Sequence, residues 1–141
     1  MKPRETNYRL MVQSDRPMLK KIWADNKKLF GEPKKLGWPT VVAERQSRIL
    51  GFITTDTTAK LIVAGPLIVN GGSSSFTVLR LIQAYENVLK YAGMDGYFFH
   101  IEKKNKHWLK MVRTVGVPEV DKTSKGFWFK RELRRNGQQS T

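Results

Sequence analysis

Leu61 to Ala92 reads LIVAGPLIVNGGSSSFTVLRLIQAYENVLKYA, and the interpretation of this stretch decides the fold. Its first nine residues are apolar or small, interrupted only by Gly65 and Pro66. Such a run is too short to cross a bilayer and suits a strand buried on both faces. The last part sets Val78, Leu81 or Ile82, Tyr85, Val88 or Leu89, and Ala92 at helical spacing, which predicts a long amphipathic helix over 76–92. Between the two lies Asn70-Gly71-Gly72-Ser73-Ser74-Ser75. Adjacent glycines let the main chain come close to a ligand, and a serine ahead of a helix accepts a bond from a first-turn N–H. Strand, small-residue loop and helix in that order form an anion cradle, with the helix dipole and free N–H groups turned toward the loop. The plainer alternative is a simple connection in which Ser73, Ser74 and Ser75 serve only as caps.

Working outward, the 141 residues have the size of one domain, read here as residues 1–141 with the polar segment Arg134 to Thr141 as a frayed tail. An apolar content of 40%, of which 11% is aromatic, is enough for one core. The chain has no cysteine, so disulfides, thiolate catalysis and sulfur-based zinc sites are excluded. Two histidines, His100 and His107, leave little for a metal site, and none is expected. The N-terminal MKPRETNYRL lacks the apolar core of a secretory leader, and no run is long enough to span a membrane. The expected location is cytoplasmic.

Lysine and arginine number 26 against 12 acidic residues, a formal +14. Residues 1–50 hold 12 basic and 5 acidic side chains, 51–99 hold 3 and 3, and 100–141 hold 11 and 4. A neutral middle between basic flanks favours nucleic acid, acidic protein or polyphosphate partners; a basic face that is merely solvated is the bland alternative.

Tyr8, Leu10 and Val12 alternate as a half-buried strand, and Ser14 or Asp15 is placed to cap a helix with Leu19, Ile22, Trp23, Asn26, and Leu29 or Phe30 inside. Gly31 to Pro39 reads as a mobile loop carrying Lys34, Lys35 and Trp38. Thr40 to Glu44 and Arg48 to Thr54 form a hairpin through Gln46-Ser47, and Thr55 to Lys60 is a second turn. After the long helix, Gly93 is a C-cap, Gly96 opens a strand over Tyr97 to Ile101, and Asn105 precedes a helix with Trp108, Met111 or Val112, and Val115 inside. Phe127 to Leu133 is the last strand. The sum is five to seven strands and three helices, an α/β sheet with helices on both faces.

This order of elements resembles the GCN5-related N-acetyltransferase (GNAT) family over roughly Asn7 to Leu133. The residues that carry the likeness are the strand–loop–helix of 60–92 and an asparagine, Asn105, followed eleven residues later by Gly116-Val117. The resemblance implies a single-domain GNAT-like mixed sheet that binds acetyl-CoA between its fourth and fifth strands. It implies that Leu67, Ile68 and Val69 offer main chain to the pantetheine arm, that Gly71, Gly72, Ser73, Ser74 and Ser75 offer N–H groups to the diphosphate, and that Asn105 holds the arm. It further implies transfer of acetyl to a small amine or a protein amine. In three places the sequence departs from the family: the loop Asn70 to Ser75 has no basic residue and only adjacent glycines, Val112 stands where many members carry a tyrosine acid, and the fourth strand has no glutamate base.

The remaining candidates are catalytic. His100 brings an imidazole, able to take a proton from an amine, to the strand after the long helix, on a face shared with Phe98 and Glu102. Glu102 is the second candidate base. Lys103, Lys104, Lys106, Lys110 and Arg113, with His107 and Trp108 among them, make a phosphate-binding surface that Arg131, Arg134 and Arg135 extend, or else the wet face of a helix with Trp108 in the core. An alternative function is therefore a GNAT-like binding protein without transfer activity, for nucleic acid or an acidic macromolecule. Small basic accessory proteins of tailed bacteriophages resemble it in size and charge. The aromatic last strand offers a surface for a homodimer.

Overall fold

Seven strands make one sheet in the order β1-β2-β3-β4-β5-β7-β6, as shown by a computed structural model that describes residues 5–56, 61–70 and 75–133. The strands are β1 (Asn7–Leu10), β2 (Val41–Arg45), β3 (Arg48–Asp56), β4 (Val63–Val69), β5 (Gly96–Glu102), β6 (Glu119–Lys122) and β7 (Gly126–Glu132). The helices are α1 (Arg16–Asp25), α2 (Lys27–Phe30), α3 (Ser75–Tyr91) and α4 (Lys106–Thr114). β1 to β4 form an antiparallel meander, as short sequential connections favour. Only β4 and β5 run parallel, with α3 as the crossover between them. The expected mixed α/β sheet is thus present.

Helices cover both faces. On one, Leu19, Ile22 and Trp23 of α1 close over Val42, Phe52 and Ile68, with Leu36 completing the cluster. On the other, Leu81, Tyr85 and Leu89 of α3 pack on Val41, Ala43, Ile53, Ala64 and Tyr97. α4 shares that second face, setting Leu109 and Val112 against Ile101 and Phe129. The strand period explains the division: Val41 and Ala43 point one way, Val42 the other.

Several expectations are corrected. The stripe of α1 does not reach Leu29 or Phe30, which are exposed, because Asn26 breaks the helix at φ −115° and ψ 20° and its side-chain amide donates to the Ile22 carbonyl at 2.7 Å. Leu10, Val12 and Ala92 are also exposed. Val115 lies past the end of α4 and is 71% exposed, and Leu109 takes the inward position instead. Asp15 does not cap α1 with its side chain. It accepts two bonds from Arg9, at 2.7 and 3.1 Å, and one from the Val12 N–H at 2.8 Å. The loop before β2 is pinned rather than loose: the Gly37 N–H donates to Thr54 Oγ1 at 3.2 Å, and Leu36, Pro39 and Thr40 are buried. β6, an exposed edge strand with the sequence EVDK, has no apolar alternation and was not expected.

Candidate functional site

The site candidate is the place where β4 and β5 come apart. A single register pair, Val63 with Phe98, joins them, beside one bond from the Phe98 N–H to the Ile62 carbonyl at 2.8 Å. The two strands then follow different neighbours. β5 pairs with β7 along its whole length, from Gly96 with Glu132 to Glu102 with Gly126. β4 stays with β3, but the register slips between Ile53 and Thr55, where Gly65 and Pro66 add one residue to β4. A bulge of this kind bends its strand and increases the local twist, so β4 turns away as β5 runs on.

Beyond the bulge the main chain of β4 alternates. The Asn70 N–H donates to the Leu50 carbonyl at 2.7 Å, which makes Asn70 and Ile68 the residues hydrogen-bonded to β3. Leu67 and Val69 therefore turn their N–H and C=O groups the other way, into the gap. Ile68 instead buries its side chain in the α1 cluster. Gly51, opposite Val69, permits this approach, since a Cβ there would stand 2.8 Å from the Val69 Cα. Sequence reasoning passed over Gly51 because a glycine's close neighbour is invisible without the fold.

α3 begins at Ser75, which is exposed, a short way along the chain from the end of β4. Gly71, Gly72, Ser73 and Ser74 lie outside the described residues, as do Thr57 to Lys60 and Arg134 to Thr141. A helix N-terminus at that end favours a negative group through its free N–H donors and dipole. Lys103, Lys104 and Lys106 add positive charge around the start of α4 at the same end of the sheet.

The other candidates are placed less centrally. The His100 ring leans toward β7: it packs on Trp128 with centroids 5.1 Å apart, and Nε2 lies 3.4 Å from Thr123 Oγ1 in the β6–β7 turn. Gly126 leaves the room for it, because a Cβ there would come within 2.8 Å of the ring. Glu102 ends β5 and pairs with Lys104 at 3.3 Å. Asn105 is the N-cap of α4, with its Oδ1 accepting from the Trp108 N–H at 3.4 Å. Val112 is buried among Ile101, Leu109 and Phe129, so no acid stands at that position. The structure thus turns main chain of Leu67 and Val69 toward the gap, carries Glu102 and Asn105 to the end of β5 and the start of α4, and holds His100 to one side.

Three titratable groups nearby are buried for structural reasons. Glu86 of α3 accepts from Tyr97 Oη at 2.7 Å and from Arg131 Nε at 2.9 Å. Burial, and then the Glu86 charge, push the Tyr97 phenol far up. Burial likewise pushes Tyr85 up to about 12, against the bond to Thr55 at 2.7 Å, which draws it down.

Compared with solved structures, the chain matches Ard1 from Thermoplasma volcanium with a TM-score of 0.74 and 13% identity, covering 92% of this chain and 99% of that one. It matches the PaiA N-acetyltransferase from Thermoplasma acidophilum, solved in complex with coenzyme A, at 0.72 and 13%, with 92% and 99% covered. A GCN5-related N-acetyltransferase from Kribbella flavida matches at 0.70 and 12%, with 91% and 98% covered. The fold is that of the GCN5-related N-acetyltransferases. At these identities the likeness is one of fold, and it spans nearly the whole of each chain. Sequence comparison alone finds neither a matching family model nor a matching curated protein. In this GNAT fold the parallel pair that separates is the pair flanking the loop first singled out in the sequence. Among the described residues no helix is long and apolar enough to cross a membrane.

Proposed function

We propose that the protein is an acetyl-CoA-dependent N-acetyltransferase. The observation that carries this reading is the gap between β4 and β5, into which Leu67 and Val69 turn main-chain groups that β5 does not meet. The gap fits the coenzyme chemically. An amide-bearing arm adds to such an edge as a further strand does, and a diphosphate suits the N–H donors at the start of α3. Leu67 and Val69 would hold the arm, Gly71 to Ser75 the diphosphate, and Asn105 the mouth. Bound acetyl-CoA supplies an activated thioester.

Catalysis then rests mainly on position. The Val69 N–H is the donor available to the acetyl oxygen as negative charge develops on it. The acceptor nitrogen would bond to the acetyl carbon as the carbon–sulfur bond breaks, the sulfur leaving as the coenzyme thiolate. Its proton leaves to water or, through a water, to His100; Glu102 is the second base at the mouth. With Val112 buried, no acid stands at that position to protonate the departing sulfur, so proximity and an amine already neutral in the cleft do most of the work. The net positive charge favours a neutral or acidic molecule bearing the amine, small or protein, since a polycation is repelled. A cytoplasmic setting is part of the proposal.

Isothermal calorimetry with acetyl-CoA and with desulfo-CoA, followed by thiol release in the presence of an amine panel, tests it. Micromolar binding with amine-dependent thiol release is expected. No binding below millimolar concentration removes the proposal, and binding without release for any amine leaves a retained cleft without transfer.

A further inference from the structure

The outer side of α4 carries charge that the acetyl-transfer reading does not use. Lys106, Lys110 and Arg113 follow one another at steps of four and three residues, which puts them on one face of the helix. At 1.5 Å per residue they span about 10 Å of its axis. They line a shallow concavity of about 470 Å³ with Leu109 and Thr114. Arg113 is held in place by Glu119 at 3.1 Å and by the Phe127 ring, 4.7 Å below its guanidinium. The strip continues beyond the helix. The Lys103 N–H donates to the Lys125 carbonyl at 2.8 Å, tying the segment before α4 to the β6–β7 turn, where Lys122 and Lys125 are exposed. Lys103, Lys106, Lys110, Lys122 and Lys125 have no carboxylate partner among the described residues, while Lys104, Arg113 and Lys130 do.

We propose that this face, α4 together with the β6–β7 turn, binds the phosphate backbone of nucleic acid. Its make-up separates that partner from an acidic protein. Protein interfaces are poor in lysine and rich in exposed aromatic anchors. Here lysine dominates, and the aromatic residues of the region, Trp108 and Phe127, pack inward against the α4 core. Long, separately mobile cations in a row match a strand that carries one charge about every 3.4 Å of its axis. Binding through phosphates is indifferent to sequence and steeply dependent on salt.

The test uses the full chain, a fluorescein-labelled oligonucleotide in single-stranded and duplex form, and anisotropy over a salt series. Lys106→Glu/Lys110→Glu is compared with Lys28→Glu/Lys34→Glu, an equal charge change on the other side of the molecule, with circular dichroism to confirm that both fold. At about 0.1 M salt the α4 pair is expected to bind roughly 10-fold or more weakly, with the salt slope reduced by about two, and the control pair to change less than about 3-fold. Equal losses in both pairs mean generic attraction and overturn the proposal. So does competition by polyaspartate as effective as that by the oligonucleotide, which points to an acidic protein. A third overturning result is an α4 pair that keeps the oligonucleotide and loses acetyl-CoA in calorimetry, which assigns the lysines to the coenzyme.

Discussion

Val63 of β4 faces Phe98 of β5 in the one register pair that joins these parallel strands, and everything proposed for the site follows from their parting beyond it. The cause is local. β4 takes up one extra residue at Gly65 and Pro66 while β5 remains in regular register with β7.

Removing one main-chain donor tests the gap. Val69→Pro deletes an N–H that β3 does not use, so the fold should persist with a Tm close to that of the wild type. Amine-dependent thiol release should fall by about 10²- to 10³-fold, the range for losing one oxyanion donor. Ile68→Pro is the contrast: it removes a bond to β3 and a buried side chain, and should unfold the protein in a thermal melt.

Asp15 ties β1 to the start of α1. The two hydrogen bonds from Arg9 hold its carboxyl below the usual 3.8, and the Val12 N–H helps, while burial opposes them. The unfolded chain thus binds this proton more tightly than the folded one. The stabilisation is full above the unfolded value and is lost as pH falls through the folded one. Asp15→Asn should cost about 1–3 kcal/mol at neutral pH. In urea titrations the gap between variant and wild type should narrow well below pH 3.8.

Tyr85 predicts the alkaline limit. Burial lifts its phenol from 10.0 to about 12, so the folded state keeps the proton longer than the unfolded chain does. That stabilisation is intact below pH 10 and fades as pH rises through about 12. Tyr85→Phe keeps the ring, and Thr55 still donates to the Pro39 carbonyl at 2.8 Å, so the cost near neutrality should be about 1 kcal/mol. The alkaline loss should be shallower in the variant, and shallower still with Tyr97→Phe added. A wild-type slope in both variants refutes the assignment.

Gln46 and Ser47 turn the β2–β3 hairpin with φ of 52° and 65°. Both lie in the left-handed region, which a type I′ turn requires and which Asn-Gly fills at less steric cost. Gln46→Asn/Ser47→Gly should stabilise the protein by about 1 kcal/mol, read as a higher urea midpoint at unchanged slope.

The elements that were legible were those written in local pattern. Gly93, at φ 84°, ends α3 as expected, and the Met94 N–H closes back on the Leu89 carbonyl at 2.9 Å. Leu81, Tyr85 and Leu89 face inward because their spacing allows little else. Glu86 defeats the same logic. A carboxylate one position after Tyr85 reads as solvent-facing, yet it is buried, because Tyr97 and Arg131 from distant strands supply its donors. Asn105 caps α4, accepting from the Trp108 N–H, as its place just before a periodic apolar run suggests.

The sequence by itself determined the order of elements apart from β6 and the break between α1 and α2, the strand–loop–helix around Asn70 to Ser75 and the basic flanks, since periodicity, turn residues and charge are properties of neighbours along the chain. Only the tertiary structure decided that β4 and β5 part after Val63 and Phe98, that Leu67 and Val69 face the opening, and that His100 leans on Trp128. Those outcomes depend on which strand pairs with which, and pairing between residues distant along the chain leaves no local mark.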